Sequence, residues 1–226
     1  MWTGFGRSVN TYFVWLEQKV GAARAVAMAQ RLGITFRAPS DAAMAAHSAA
    51  TWGSFTLGVS DTTPLDLAGA YATIAADGLY CAPLPVTSIT GPDGTASPAA
   101  APTCHQAVAP DIARAAVDAA RCPVGQQGAY GGCDGGTAAQ VSDLLGGRPV
   151  GGKTGSSEGN ATESFVGFTP QAAVAGIAAD PMRPAAAVQT EVIAAVAQVL
   201  SRAVRGQPAR DFTPPDPRLA FGGGRP

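Results

Sequence analysis

Gly151-Gly152-Lys153-Thr154-Gly155-Ser156-Ser157-Glu158-Gly159 carries three overlapping catalytic signatures, and each demands a different surrounding fold. From Gly147 to Thr154 the chain fits G-x-x-x-x-G-K-T, the loop that cradles phosphates. From Gly155 to Gly159 it fits G-x-S-x-G, the elbow that exposes a nucleophilic serine. Its centre, Lys153-Thr154-Gly155, is a third motif, a tripeptide that lines an acyl-transfer cleft. The neighbouring sequence decides among them.

A phosphate loop needs a strand entering it and a helix leaving it, because loop amides and the helix N-terminus together hold the phosphates. Here a helical pattern precedes Gly147, and Gly155-Ser156-Ser157-Glu158-Gly159-Asn160 follows, which no helix favours as its first turns. The elbow needs an acid and then a histidine downstream of the serine. Both histidines, His47 and His105, lie upstream of Ser157 and read as surface or loop residues. The third motif asks for a strand faced by a Ser-x-Asn on a helical subdomain. Ser8-Val9-Asn10 stands at the start of the first helical pattern, in the required order.

Composition narrows the function classes. With a net charge of −1 and 14% charged residues, the chain has no basic field for nucleic acid or an acidic membrane surface. Lys19 and Lys153 are the only lysines among 15 cations, so a lysine inside a motif carries some weight. No apolar run reaches the roughly 18 residues that a span needs, and the N-terminus lacks the order of a signal peptide. The four cysteines, Cys81, Cys104, Cys122 and Cys133, lack C-x-x-C spacing, which argues against a zinc site; no metal or cofactor is expected. Three disulfide connectivities are open, the nearest-neighbour one clipping two Pro- or Gly-rich loops, and four buried thiols is the alternative. Disulfides would imply an oxidising compartment, which a chain without export signal reaches as a piece of something larger.

Residues 11–32 read as one helix with a weak point at Gly21 and a stop at Gly33. Residues 34–62 read as loop with short turns. Thr63-Pro64-Leu65-Asp66 opens a second helix with a capping threonine, a proline at the first position and an acid in the first turn, burying Leu67, Tyr71 and Ile74. Residues 83–89 and 103–108 suggest two short strands. Helices follow at 110–121 and 137–145, the latter with a Thr137/Gln140 capping box and inward Val141, Leu144 and Leu145. Strands are expected at 150–155, 163–169 and 172–179, with a turn at Thr169-Pro170-Gln171. A final amphipathic helix, 188–204, points Val192, Val196, Val199 and Leu200 inward. The implied fold class is mixed α/β, of α+β type: an antiparallel sheet with a helix on one face and a helical subdomain. Residues 1–205 make the folded portion; the Pro- and Gly-rich 206–226 tail is expected to be disordered.

Ser8-Val9-Asn10-Thr11-Tyr12-Phe13, Phe55-Thr56-Leu57-Gly58-Val59-Ser60, Thr63-Pro64-Leu65-Asp66-Leu67-Ala68, Tyr71-Ala72-Thr73-Ile74-Ala75, Gly152-Lys153-Thr154-Gly155-Ser156 and Phe165-Val166-Gly167-Phe168-Thr169-Pro170 together resemble the transpeptidase domain of bifunctional, class A penicillin-binding proteins. The Ala- and Arg-rich composition and the Cys81/Cys104 pair resemble actinobacterial members. The resemblance implies the penicillin-binding transpeptidase and serine β-lactamase-like fold, and attack on the D-Ala-D-Ala end of a peptidoglycan stem peptide, with β-lactams as mimics. It implies that Ser8 relays a proton, Asn10 bonds the substrate amide, and Lys153 supplies positive charge. Thr154 and Ser156 would bind the substrate carboxylate, the Ser156 amide would be an oxyanion donor, and Gly155 would sit in the substrate-binding strand. The parent family works outside the cytoplasm at the bacterial plasma membrane.

The sequence departs from that family in one respect. Its nucleophile lies in a Ser-x-x-Lys motif, and three residues before Lys19 and Lys153 stand Leu16 and Val150. The chain starts almost at the second motif, so it is expected to be the C-terminal part of the domain, without the opening strands, the glycosyltransferase domain or the anchor. On that expectation it is inactive alone. It is then either one half of a split transpeptidase, its partner a missing N-terminal half, or a catalytically dead peptidoglycan-binding scaffold.

Overall fold

Alternating apolar side chains on two short hairpins build a three-stranded antiparallel sheet, and helices cover both its faces. A computed structural model describes residues 1–180, 182 and 187–221. The chain runs α1 (Trp2–Gly6), α2 (Asn10–Val20), α3 (Ala22–Arg31), α4 (Pro39–His47), α5 (Pro64–Ala75), β1 (Leu79–Cys81), β2 (Cys104–Gln106), α6 (Pro110–Ala120) and α7 (Gln140–Leu144). It continues through β3 (Gly151–Ser156), β4 (Thr162–Phe168), β5 (Ala173–Ala179), α8 (Gln189–Ala203) and α9 (Pro217–Phe221). The sheet order is β3-β4-β5, with Lys153 opposite Val166, Thr154 opposite Phe165 and Ser156 opposite Glu163. The three strands match the expected ones, and Thr169 ties the β4–β5 turn by accepting from the amides of Gln171 and Ala172.

Residues 165 and 168 of β4 point to opposite faces, as a period of two requires. Phe165 is fully buried with Val192, Ile193, Val196 and Leu200 of α8 and with Val124 and Val141. Phe168 is fully buried on the other side with Val117 and Ala120 of α6, packed by Phe5, Tyr71, Ile74 and Phe212. A third small core, Val26, Phe36 and Trp52, holds the helical subdomain together.

The N-terminal helical pattern divides at Gly21, whose φ of 89° ends α2 and starts α3. Residues 34–62 contain α4 and two short 3-10 turns, Ala49–Thr51 and Gly53–Leu57, where loop was expected. Pro39 at its first position and Asp41 in its first turn are ordinary start signals, but nine residues are too few to display a period. Thr63 caps α5 as expected, accepting from the Asp66 amide. The strand expected at 83–89 lies earlier, at β1, because Pro83 and Pro85 cannot donate to a ladder. In α7 Val141 and Leu145 are buried while Leu144 is exposed, and in α8 Ile193 and Ala197 take the inward place expected of Val199.

The tail differs from the disorder expected of it. Phe212 packs edge-on against Phe168, Arg148 donates to the carbonyls of Gln207 and Pro208, and Tyr130 donates to the carbonyl of Pro215. A chain rich in proline loses little entropy on docking. Residues 222–226 of that expectation lie outside the described residues. Both nearest-neighbour disulfides form, Cys81–Cys104 across the β1–β2 pair and Cys122–Cys133 around the glycine-rich loop. Among the described residues no helix is long and apolar enough to cross a membrane.

Candidate functional site

Hydrogen-bond register fixes which groups of β3 face outward. The Ser157 amide bonds to the Thr162 carbonyl, so the pairs 155/164 and 153/166 are the bonded ones in this antiparallel ladder. The intervening residues, Thr154 and Ser156, turn their backbone N–H and C=O groups away from β4. Val150 follows the same alternation, its amide donating outward to Gln126 Oε1 at 3.2 Å. On this free side, the Thr154 carbonyl accepts from Lys153 Nζ at 2.9 Å.

Lys153 Nζ also donates to Ser8 Oγ at 2.7 Å, joining groups 145 positions apart in sequence. The ammonium lies 5.7 Å from the centre of the Phe5 ring, within cation–π range. Burial lowers the Lys153 pKa from 10.5 to about 8, since its recorded contacts are a hydroxyl, a carbonyl and an aromatic face. Ser8 sits between α1 and α2 with φ of 54°, in the left-handed region, where a side chain other than Gly, Asn or Asp costs energy. Strain of this kind concentrates where geometry serves chemistry. Asn10 opens α2 and is exposed.

Thr154 and Ser156 point their side chains to the face opposite Lys153, whereas Gly155 shares the face of Lys153. Thr154 is buried, and its hydroxyl shares a 2.7 Å hydrogen bond with that of Thr137. The Thr137/Gln140 capping box is therefore replaced: the Thr137 hydroxyl serves β3, and α7 begins at Gln140 without a side-chain cap. Ser156 Oγ donates to Glu163 Oε2 at 2.5 Å, and Gln189 Nε2 donates to both, at 2.7 and 3.0 Å. Glu163 is buried. Gly155 lies against Ser164, whose Oγ donates weakly to its carbonyl at 3.4 Å.

The structure thus brings Ser8 and Lys153 together and commits the hydroxyls of Thr154 and Ser156 to internal partners. Phe5, Thr137, Glu163 and Gln189 escaped the sequence reading. Glu163 was recoverable, because a hairpin turning at Ser157–Ala161 puts it opposite Ser156. The other three meet the site through tertiary packing. Chemically, the arrangement offers an open strand edge with two outward amides beside a neutralisable ammonium hydrogen-bonded to a hydroxyl.

Residues 1–198 match the family described as Transpeptidase, the penicillin binding protein transpeptidase domain. The peptidoglycan D,D-transpeptidase PbpA of Mycolicibacterium smegmatis is 36% identical over 141 residues, 57% of this chain and 29% of that protein. Penicillin-binding protein 1A of Clostridium novyi is 26% identical over 214 residues, 92% of this chain and 22% of that protein. The chain therefore spans less than a third of the length of these curated relatives. Among solved structures, the penicillin-binding protein PonA1 of Mycobacterium tuberculosis superposes with a TM-score of 0.75 at 22% identity, over 94% of this chain and 58% of that one. These relatives agree with the class A, actinobacterial type that the sequence resembles and with its mixed helix-and-sheet fold. The chain belongs to the penicillin-binding protein transpeptidase family.

Proposed function

We propose that this chain forms one wall of a D,D-transpeptidase cleft that takes the D-Ala-D-Ala end of a peptidoglycan stem peptide, and that β-lactams occupy the same place. The observation that carries the reading is the Lys153–Ser8 hydrogen bond beside the free edge of β3. An extended peptide added to that edge would find the outward amides of Thr154 and Ser156. The Ser156 amide is the oxyanion donor on this reading, a contact whose loss costs about a hundredfold or more in rate. Lys153, at about 8, is suited to hand a proton through Ser8 to a leaving nitrogen near neutrality. The Thr154 and Ser156 hydroxyls reach a substrate carboxylate after leaving Thr137 and Glu163. Asn10 bonds the substrate amide. The PonA1 structure has a counterpart in complex with penicillin V, which supports the β-lactam part of the reading. Two disulfides favour an extracytoplasmic setting.

These 226 residues contain no Ser-x-x-Lys, so on this reading the chain alone does not acylate. Incubation with a fluorescent penicillin should leave no covalent band on a denaturing gel, and a band would refute that statement. Amide signals of Ser8 and 153–156 should move when a D-Ala-D-Ala peptide is titrated in. Shifts confined to other residues would overturn the cleft assignment.

A further inference from the structure

The α1 segment that leads to Ser8 is held from two sides. On α6, Trp2 Nε1 donates to Asp118 Oδ2 at 2.7 Å and Phe5 packs with Val117, Ala120 and Phe168. The loop 123–136 holds it from the other. Thr3 Oγ1 donates to the Gly132 carbonyl at 3.0 Å, and Arg7 Nε donates to the Asp134 carbonyl at 2.6 Å. Arg7 Nη2 pairs with the Asp134 carboxylate at 2.8 Å, and the Thr137 amide donates to the Gly6 carbonyl at 3.1 Å. Gly6 is packed so closely that a Cβ there would meet Gly135 O at 2.6 Å and Cys122 Cβ at 3.0 Å. The same loop reaches the other half of the site, since Thr137 at its end bonds Thr154 of β3. Cys122 is buried at the start of the loop, and Cys133 ties the glycine-rich far end back to it. That far end, Tyr130 to Asp134, is largely exposed, and four of the loop's glycines have positive φ. Besides the bridge it is held by the Thr3 and Arg7 contacts, by Gln127, which exchanges 3.3 Å hydrogen bonds with the Cys133 backbone, and by Tyr130 on the Pro215 carbonyl.

We propose that loop 123–136, closed by the Cys122–Cys133 bridge, is the positioning element that docks Ser8 onto Lys153, so that the cleft is assembled in the oxidised chain and loosens in the reduced one. The other bridge, Cys81–Cys104, closes a hairpin that shares none of these contacts. The proposal concerns assembly of the site and stands whether or not the chain acylates.

The test uses the full chain. Lys19 and Lys153 are the only lysines, so lysine labelled with carbon-13 at the ε position gives two titration curves, one of them an internal reference. In the oxidised chain the Lys153 curve should centre near 8. In Cys122→Ser/Cys133→Ser it should rise by one pH unit or more as water reaches the ammonium. In Cys81→Ser/Cys104→Ser it should stay near 8 until dithiothreitol is added. The reagent then passes two electrons and two protons to the remaining bridge, closing to its own cyclic disulfide and leaving two thiols. Arg7→Ala, which removes both Asp134 contacts with the bridge intact, should move Lys153 in the same direction, and Arg7→Lys should restore part of the shift. If the Cys122/Cys133 variant loses the amide signals of β3–β5, Arg7→Ala decides. An unmoved Lys153 curve in Arg7→Ala, or in a Cys122/Cys133 variant whose sheet is intact, overturns the proposal.

Discussion

Lys153 Nζ and Ser8 Oγ lie 2.7 Å apart, one on the edge strand of the sheet and the other in a strained turn between the first two helices. The contact is costly on both sides. The lysine gives up water, and the serine holds a left-handed φ. Neither cost is repaid by core packing, since Ser8 and Lys153 are only half-buried. The proposed cleft chemistry gives a reason for both to persist.

The strain at Ser8 can be measured apart from its hydroxyl. Ser8→Ala and Ser8→Gly both delete the hydrogen bond to Lys153, but glycine takes a φ of 54° freely and alanine does not. Ser8→Gly should therefore be more stable than Ser8→Ala by about 1 kcal/mol. Urea unfolding of the pair supplies the number. Equal midpoints would mean the turn is unstrained.

Lys153 should also write a pH signature on stability. Its folded pKa of about 8 lies below the ordinary 10.5, so between those values the unfolded chain binds more proton than the folded one. Stability from this group accordingly rises as pH increases through that window and is flat above it. Tyr71 works in the opposite sense at higher pH, because burial raises its pKa from 10.0 to about 12 and unfolding then releases a proton. Comparison with Lys153→Met, which lacks the titration, isolates the lysine. A difference between the two proteins that stays constant from pH about 8 to 10.5 would show that Lys153 titrates normally.

Sequence made the sheet legible because its signals are local. Thr169-Pro170-Gln171 marks a turn, and Phe165 and Phe168 sort themselves onto two faces by alternation. Ser8 and Lys153 were legible through motif chemistry. Thr137 was misread because its spacing to Gln140 imitates a cap, while its real partner, Thr154, is 17 residues away. Phe5 and Gln189 carry no local mark at all; each meets the site through packing between distant segments. Short elements fared worst, as α4 shows, because nine residues supply too few repeats to reveal a face.

The docked tail gives a further test. Phe212 is half-buried between Phe168 and Arg121, and Arg148 clamps Gln207 and Pro208. Ending the chain after Arg205 should remove these contacts and cost about 2 kcal/mol, close to the transfer energy of one large apolar side chain and a few exposed hydrogen bonds. Phe212→Ala alone should reproduce most of the loss. An unchanged denaturation midpoint for both would mean that 206–221 contributes nothing to the fold.

Two glycines of the motif should behave differently when replaced by alanine. At Gly152 a Cβ would meet Val166 O at 2.6 Å, with Phe165 Cζ and Val124 Cγ1 both at 2.9 Å. The first obstacle is backbone of the paired strand, and the other two belong to the core, so none can yield cheaply. Gly152→Ala should cost about 1–3 kcal/mol. Because Lys153 is the next residue, the distorted strand should also shift its titration. At Gly155 a Cβ would meet Ser164 Oγ at 2.5 Å, and no other atom closer than Ser164 Cβ at 3.9 Å. A serine hydroxyl can rotate away, so Gly155→Ala should cost under about 1 kcal/mol, and Ser164→Ala in the same chain should recover it. Thermal or urea unfolding of the three variants decides the matter. Equal losses at the two glycines, or no recovery on removing the Ser164 hydroxyl, would show that backbone freedom and not the packing of β3 on β4 is what the motif's glycines supply.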